Sequence, residues 1–243
     1  MQLMPRPWHP YLYLSILLAV AAAVVYFIVE GTVGAKEVGT AFLATVGTFV
    51  GALFAFRLNE QKETLDRDKE RKAALNRALF IVVRQYNAIR SLERQLEPYK
   101  SEFDRSFNCP AFQPPAYSDL MHEFESLTFL LELNEPNVLM RLSVEQECFH
   151  QAIESLRVRN AFYVNEVQPV IANSGFNRRA VPASEFQAAL GERLFSGAVN
   201  GASVFFAHVT ESRQSLLAMH GELFAAAKRL YPDAKFIKPA AEA

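Results

Sequence analysis

The chain has 243 residues and a formal charge of -1, so it lacks the excess of basic residues from which nucleic-acid-binding faces are built. Hydrophobic residues make up 51% of it, with 20 Phe against one Trp, which excludes a disordered chain and suits membrane helices joined to an aromatic-filled core. Two cysteines, Cys109 and Cys148, are too few for a disulfide framework or a thiolate metal cluster and point to a reducing compartment.

The first ten residues contain Pro5, Pro7 and Pro10 and place Trp8, with Tyr11 and Tyr13 after it, where an interfacial aromatic belt would sit. Residues 11–29 are uncharged over a length that spans a bilayer. Ala19, Ala21 and Ala23 would also suit a signal-peptide cleavage site, but the apolar run continues through Val24, Val25, Phe27 and Ile28, and Arg6 is the only basic residue ahead of it. Residues 30–37, with Gly31 and Gly34, then read as a tight hairpin loop, too short to hold a ligand-binding module.

A second uncharged stretch, 38–56, runs without a proline into a charged helix that reaches Leu96, with Pro98 beyond it. Lys36 is the only basic residue of the loop, whereas Arg57, Lys62, Arg67, Lys69, Arg71, Lys72 and Arg77 follow the second span, which places both termini in the cytoplasm. The second span carries Ala44, Gly47, Thr48, Gly51 and Ala55 close to one helical face, the small-residue spacing through which membrane helices approach. These residues are expected to close the hairpin against Ser15, Ala19 and Ala23, or to pair copies of the chain in a homo-oligomer. Neither span holds an Asp, Glu, Lys, Arg or His, which argues against a transporter.

Residues 58–72 read as a solvated helical stalk, with Glu63 and Arg67, and Asp68 and Lys72, spaced to pair along it. Beyond, Leu75, Leu79, Val82, Tyr86, Ile89, Leu92 and Leu96 form an apolar stripe, expected to pack on later helices of the same chain, with a coiled coil between copies as the alternative. A Pro-rich loop over 101–118 follows, then a helix over 119–133 with Leu120, Phe124, Leu127 and Leu131 on one face. Asn134 is placed as the N-cap of a helix reaching about Val167, with Pro136 in its first turn and Leu142, Phe149, Ile153, Leu156 and Tyr163 facing a core. A basic connection spans 177–182, and Ser184 is expected to cap a short helix over 185–195. The small residues of 196–203 mark either a break or a close helix crossing. A last helix over 202–230 presents Phe205, Val209, Leu216, Met219, Leu223 and Leu230, Pro232 stops it, and 238–243 is a loose tail.

Motifs for chemistry are sparse. Glu147 and His150 have the spacing of carboxylate-bridged metal sites, but no second copy exists, so no metal and no cofactor is assigned and His150 is read as exposed or hydrogen-bonded. His122, His208 and His220 are isolated and read as structural or exposed. Neither Cys109 nor Cys148 has a local base, so no catalytic residue is assigned. Gly191, Gly197 and Gly201 match no phosphate-binding loop. Arg157, Arg159 and Asn160, with Arg178 and Arg179, form a polar group that suits an acidic partner or, more simply, a solvated face.

The expected fold is therefore all-α: a transmembrane hairpin in residues 1–57 and a cytoplasmic antiparallel helical bundle in 58–243. This layout resembles small bacterial inner-membrane proteins with a two-span hairpin and a helical cytoplasmic domain, some of which act as membrane-targeting effectors in phage defence. The resemblance covers residues 11–56 and the stalk, and it transfers no functional residue. The expected function is a non-enzymatic module that binds a cytoplasmic protein at the bilayer. The alternative is an oligomerising effector that perturbs the bilayer.

Overall fold

A computed structural model describes Ala22, Tyr26, Val29 and residues 35–115, 117–176 and 181–238. Most of the first span, the loop at 30–34, Arg178, Arg179 and the end of the tail lie outside the described residues. Among those described, every regular element is helical, and no strand occurs. The chain divides into two compact units, Met1–Arg67 and Asp68–Ala243.

Helix α1 is a single run, Ala35–Leu96. No proline or helix-breaking pair interrupts its 62 residues, and it stops where Pro98 could no longer donate to the ladder. In the first unit its residues are bare: from Gly39 to Arg67 every one except Val46 is exposed. Along the polar part, Arg67 pairs with Glu63 at 3.1 Å and Arg57 with Glu60 at 3.7 Å. These are solvated one-turn contacts, worth a few tenths of a kcal/mol each.

In the second unit the character of α1 changes. The expected stripe is buried in full: Leu75, Leu79, Val82 and Ile89 have no exposed surface, and Tyr86, Leu92 and Leu96 have little. These side chains share one core cluster with Leu142, Phe149, Ile153 and Leu156 of helix α3 (Pro136–Phe162) and Phe205, Val209, Leu216, Met219 and Leu223 of helix α5 (Ala183–Leu230). Burial of large aliphatic and aromatic side chains, each worth about 1.5–3 kcal/mol, is what holds this unit together. Asp68 and Lys72 do not pair as the spacing suggests: Asp68 accepts from the Tyr231 hydroxyl at 3.4 Å, and Lys72 lies 5.0 Å above the Tyr231 ring.

Contacts between α3 and α5 run in opposite order along the two helices. Glu135, just before α3, pairs with Arg229, Arg141 with Glu222, the Cys148 carbonyl accepts from Ser212, and Phe162 meets Gly197. A smaller cluster gathers Phe107, Val167, Ile171, Phe186, Leu190 and Ala198, with Phe107 and Phe186 edge to face at 4.9 Å.

Three local expectations are corrected, and one stated as two alternatives is decided. The helix expected over 119–133 is reduced to a 3₁₀ turn, Phe124–Leu127, and the four-residue helix α2, Phe129–Glu132. Leu131 points outward, because the chain here follows the side of the core and offers Leu120, Leu127 and Leu130 to it through short turns in place of one continuous helix. Asn134 is no N-cap; it takes a left-handed backbone, φ 60°, and α3 starts at Pro136 after Glu135. Ser184 lies inside α5, which starts after Pro182, and the break comes at Gly191 (φ 73°, ψ 159°), a conformation that requires glycine. The 196–203 stretch is helical, and its small residues serve the close crossing instead: a Cβ on Gly197 would lie 2.7 Å from the Phe162 ring.

Helices also continue irregularly. The loop expected over 101–118 contains a π-helical turn, Asp104–Asn108, and α3 runs into a second, Tyr163–Val167, before helix α4, Gln168–Asn173. At the end of α5 the Lys228 ammonium donates to the carbonyls of Pro232 and Ala234, turning the chain back. Asn76 receives the returning segment through both ends of its amide, donating to the Lys235 carbonyl and accepting from the Ile237 N–H.

Candidate functional site

Within α1, residues 39–56 are both apolar and exposed. Their side chains are apolar, with a mean hydropathy of 1.8 over the most apolar 18-residue window, and none of that window is buried. Leu43, Phe54 and Phe56 are each about two-thirds exposed or more, at 71%, 67% and 69%. By length and composition this helix can cross a membrane. Its few hydroxyls are already satisfied: Thr40, Thr45 and Thr48 donate to the carbonyls of Lys36, Ala41 and Ala44 at 2.8–2.9 Å. Turning polar groups back onto the helix removes the need for water along this surface.

The small residues of the stretch, Ala44, Gly47, Thr48, Gly51 and Ala55, are all exposed on this helix. Among the described residues, apart from the helix's own adjoining backbone, no heavy atom lies within 4 Å of a Cβ built on Gly47 or Gly51. The approach they permit is therefore open along the described part of the chain.

The second unit places the polar candidates in three settings. Arg159, read from the sequence as part of an open polar face, is buried, with 4% of its surface exposed. Its guanidinium donates to the carbonyls of Arg105, Cys109 and Pro110 at 3.3, 2.5 and 3.0 Å and lies 5.0 Å from the Tyr163 ring. Asn160 donates to the Phe112 carbonyl at 2.6 Å, and the Tyr163 hydroxyl to that of Phe107 at 2.8 Å. Three successive side-chain grips thus fix the Pro-rich loop onto the end of α3. Carbonyl dipoles and an aromatic face, rather than a carboxylate, stabilise the cation, and its burial lowers the Arg159 pKa. No sequence motif signals this role; only an arginine one turn from the end of an apolar helix and the carbonyl-rich Pro loop hint at it.

Cys109 is sealed under this latch, and burial raises its thiol pKa. The Cys148 thiol is raised by burial and then by the neighbouring Glu145, Glu147 and Glu211. Both shifts work against the thiolate that nucleophilic chemistry needs.

His150 borders an open groove of about 490 Å³ with Tyr117, Gln151, Glu154 and Arg157. Its Nε2 is shielded and has no hydrogen-bond partner. Donors and an acceptor of both signs share this groove, since Arg157 lies 3.4 Å from Glu154. A second groove, about 400 Å³, is bordered by Glu93, Glu97, Lys100, Arg105 and Phe206. Among the described residues no three His, Cys, Asp or Glu side chains converge as a metal site.

Comparison with protein-family models, with curated proteins and with solved structures gives no match.

Proposed function

We propose that this chain is a non-enzymatic interaction module held at the cytoplasmic face of an inner membrane by a two-span hairpin, 11–29 and 38–56, whose helical bundle binds a cytoplasmic protein. The observation that carries the reading is the bare apolar surface of residues 39–56, followed on the same helix by an exposed charged stalk. Covering such a surface with lipid removes from water side chains worth about 1.5–3 kcal/mol each, which a water-soluble chain would instead bury in its own core. The basic residues after the span, against Lys36 alone before it, support a cytoplasmic second unit. One buried and one half-buried thiol, both with raised pKa, and a packed helical core support binding over catalysis.

Native mass spectrometry of the full-length chain, gently extracted from its own membrane, tests the reading. The expected result is one copy carrying a co-extracted protein. A discrete homo-oligomer without a partner would overturn it and favour an assembling effector acting through Gly47 and Gly51.

A further inference from the structure

The stalk of α1 is not uniformly polar. Leu58 and Leu65 stand 64% and 70% exposed among charged neighbours. With Lys62 and Lys69, also exposed, they recur at steps of four, three and four, so all four residues share one face of a single continuous helix. The other basic residues of this stretch are occupied: Arg57 by Glu60, Arg67 by Glu63 and, further on, Arg71 by Glu132. Among the described residues no carboxylate pairs with Lys62 or Lys69.

We propose that Leu58, Lys62, Leu65 and Lys69 dock an amphipathic helix of a partner protein, with aliphatic side chains against the leucines and acidic ones opposite the lysines. The spacing is that of a two-helix seam in which an apolar position alternates with a cationic one. Charge complementarity selects the occupant. A second copy anchored in the same membrane would run parallel and bring Lys62 against Lys62 and Lys69 against Lys69, a like-charge contact at the centre of the seam. An acidic helix turns the same two positions into ion pairs. This exclusion of a second copy rests on the proposed membrane insertion; the docking face itself does not.

The test uses the full chain in nanodiscs of phosphatidylcholine and, as probe, a fluorescent synthetic helix with Leu and Glu at alternating seam positions. Anisotropy should show binding that weakens by roughly tenfold or more in K62E/K69E. A probe with Lys in place of Glu should bind that double variant and not the parent chain. Circular dichroism checks that helix content is unchanged. The proposal is overturned if the acidic probe does not bind, or if charge reversal in the chain leaves its affinity unaltered. Efficient disulfide cross-linking of Lys62→Cys between copies in the nanodisc would overturn it in favour of a second copy. Charge-dependent binding to phosphatidylglycerol vesicles in place of the peptide would overturn it in favour of the bilayer surface. A chain that stays soluble and never enters nanodiscs contradicts the membrane reading alone, and the probe can then be titrated in solution.

Discussion

His122 shows what one buried polar side chain contributes to this fold. It is 6% exposed, its backbone N–H donates to Gln146 Oε1 at 2.5 Å, and neither ring nitrogen has a partner. Burial lowers its pKa to about 4 from the usual 6.5. The unfolded chain therefore takes up a proton on this ring below pH 6.5 while the folded chain does not until about pH 4. Stability from this group is complete above pH 6.5 and is lost as pH falls through that window, by about 3 kcal/mol in all. His122→Leu should flatten the dependence, so unfolding measured at pH 7 and pH 4.5 should differ by about 2 kcal/mol less in the variant than in the parent. An identical pH dependence in both would contradict this account. Histidine alone in a sequence does not disclose such burial: His122 and His220 are enclosed because Leu120 and Met219 beside them enter the core, a consequence of tertiary packing.

At the scale of the element, α5 sets two glycines side by side with opposite consequences. Gly197 lies against the Phe162 ring, whereas a Cβ on Gly201 would find its nearest neighbour, Arg159 Cγ, at 4.0 Å. Gly201→Ala should therefore stabilise the chain by up to about 1 kcal/mol through helix propensity. Gly197→Leu should destabilise it by about 1–3 kcal/mol, because the ring and the helix crossing must give way. Thermal unfolding of the full chain in mild detergent distinguishes the two; equal shifts would show that the crossing is not close. The sequence makes this crossing half legible: a run of small residues over 196–203 signals either a break or a contact, and only the position of Phe162 decides. The long helix α1 is legible from residue 38 to its end, since an uninterrupted apolar stripe and the absence of proline act along the chain itself; only its start at Ala35, inside the segment read as a loop, is not. The 119–133 segment is not, because its leucines reach the core through irregular backbone that happens to match a helical period. Arg159 escapes for a related reason: its partners are the main-chain carbonyls of Arg105, Cys109 and Pro110, and main-chain atoms leave no residue pattern to read.

For the whole molecule, the two units differ in the surface they offer. In Asp68–Ala243, apolar side chains of α1, α3 and α5 meet in one core, and surface ion pairs such as Arg84 with Asp119 and Arg213 with Glu93 add little beyond positioning. In Met1–Arg67, the described apolar side chains have no such core, and the hydroxyls among them are closed onto their own helix. Either lipid or water covers residues 39–56, and thiol labelling distinguishes the two. In full-length chain lacking Cys109 and Cys148, single cysteines replace Val50 or Lys62, and native membranes are exposed to a hydrophilic maleimide. Val50→Cys should stay unlabelled until the membrane is dissolved in denaturing detergent, while Lys62→Cys should react at once in opened vesicles. Rapid labelling at both positions in intact bilayers would mean that water reaches the apolar stretch, and would contradict its insertion.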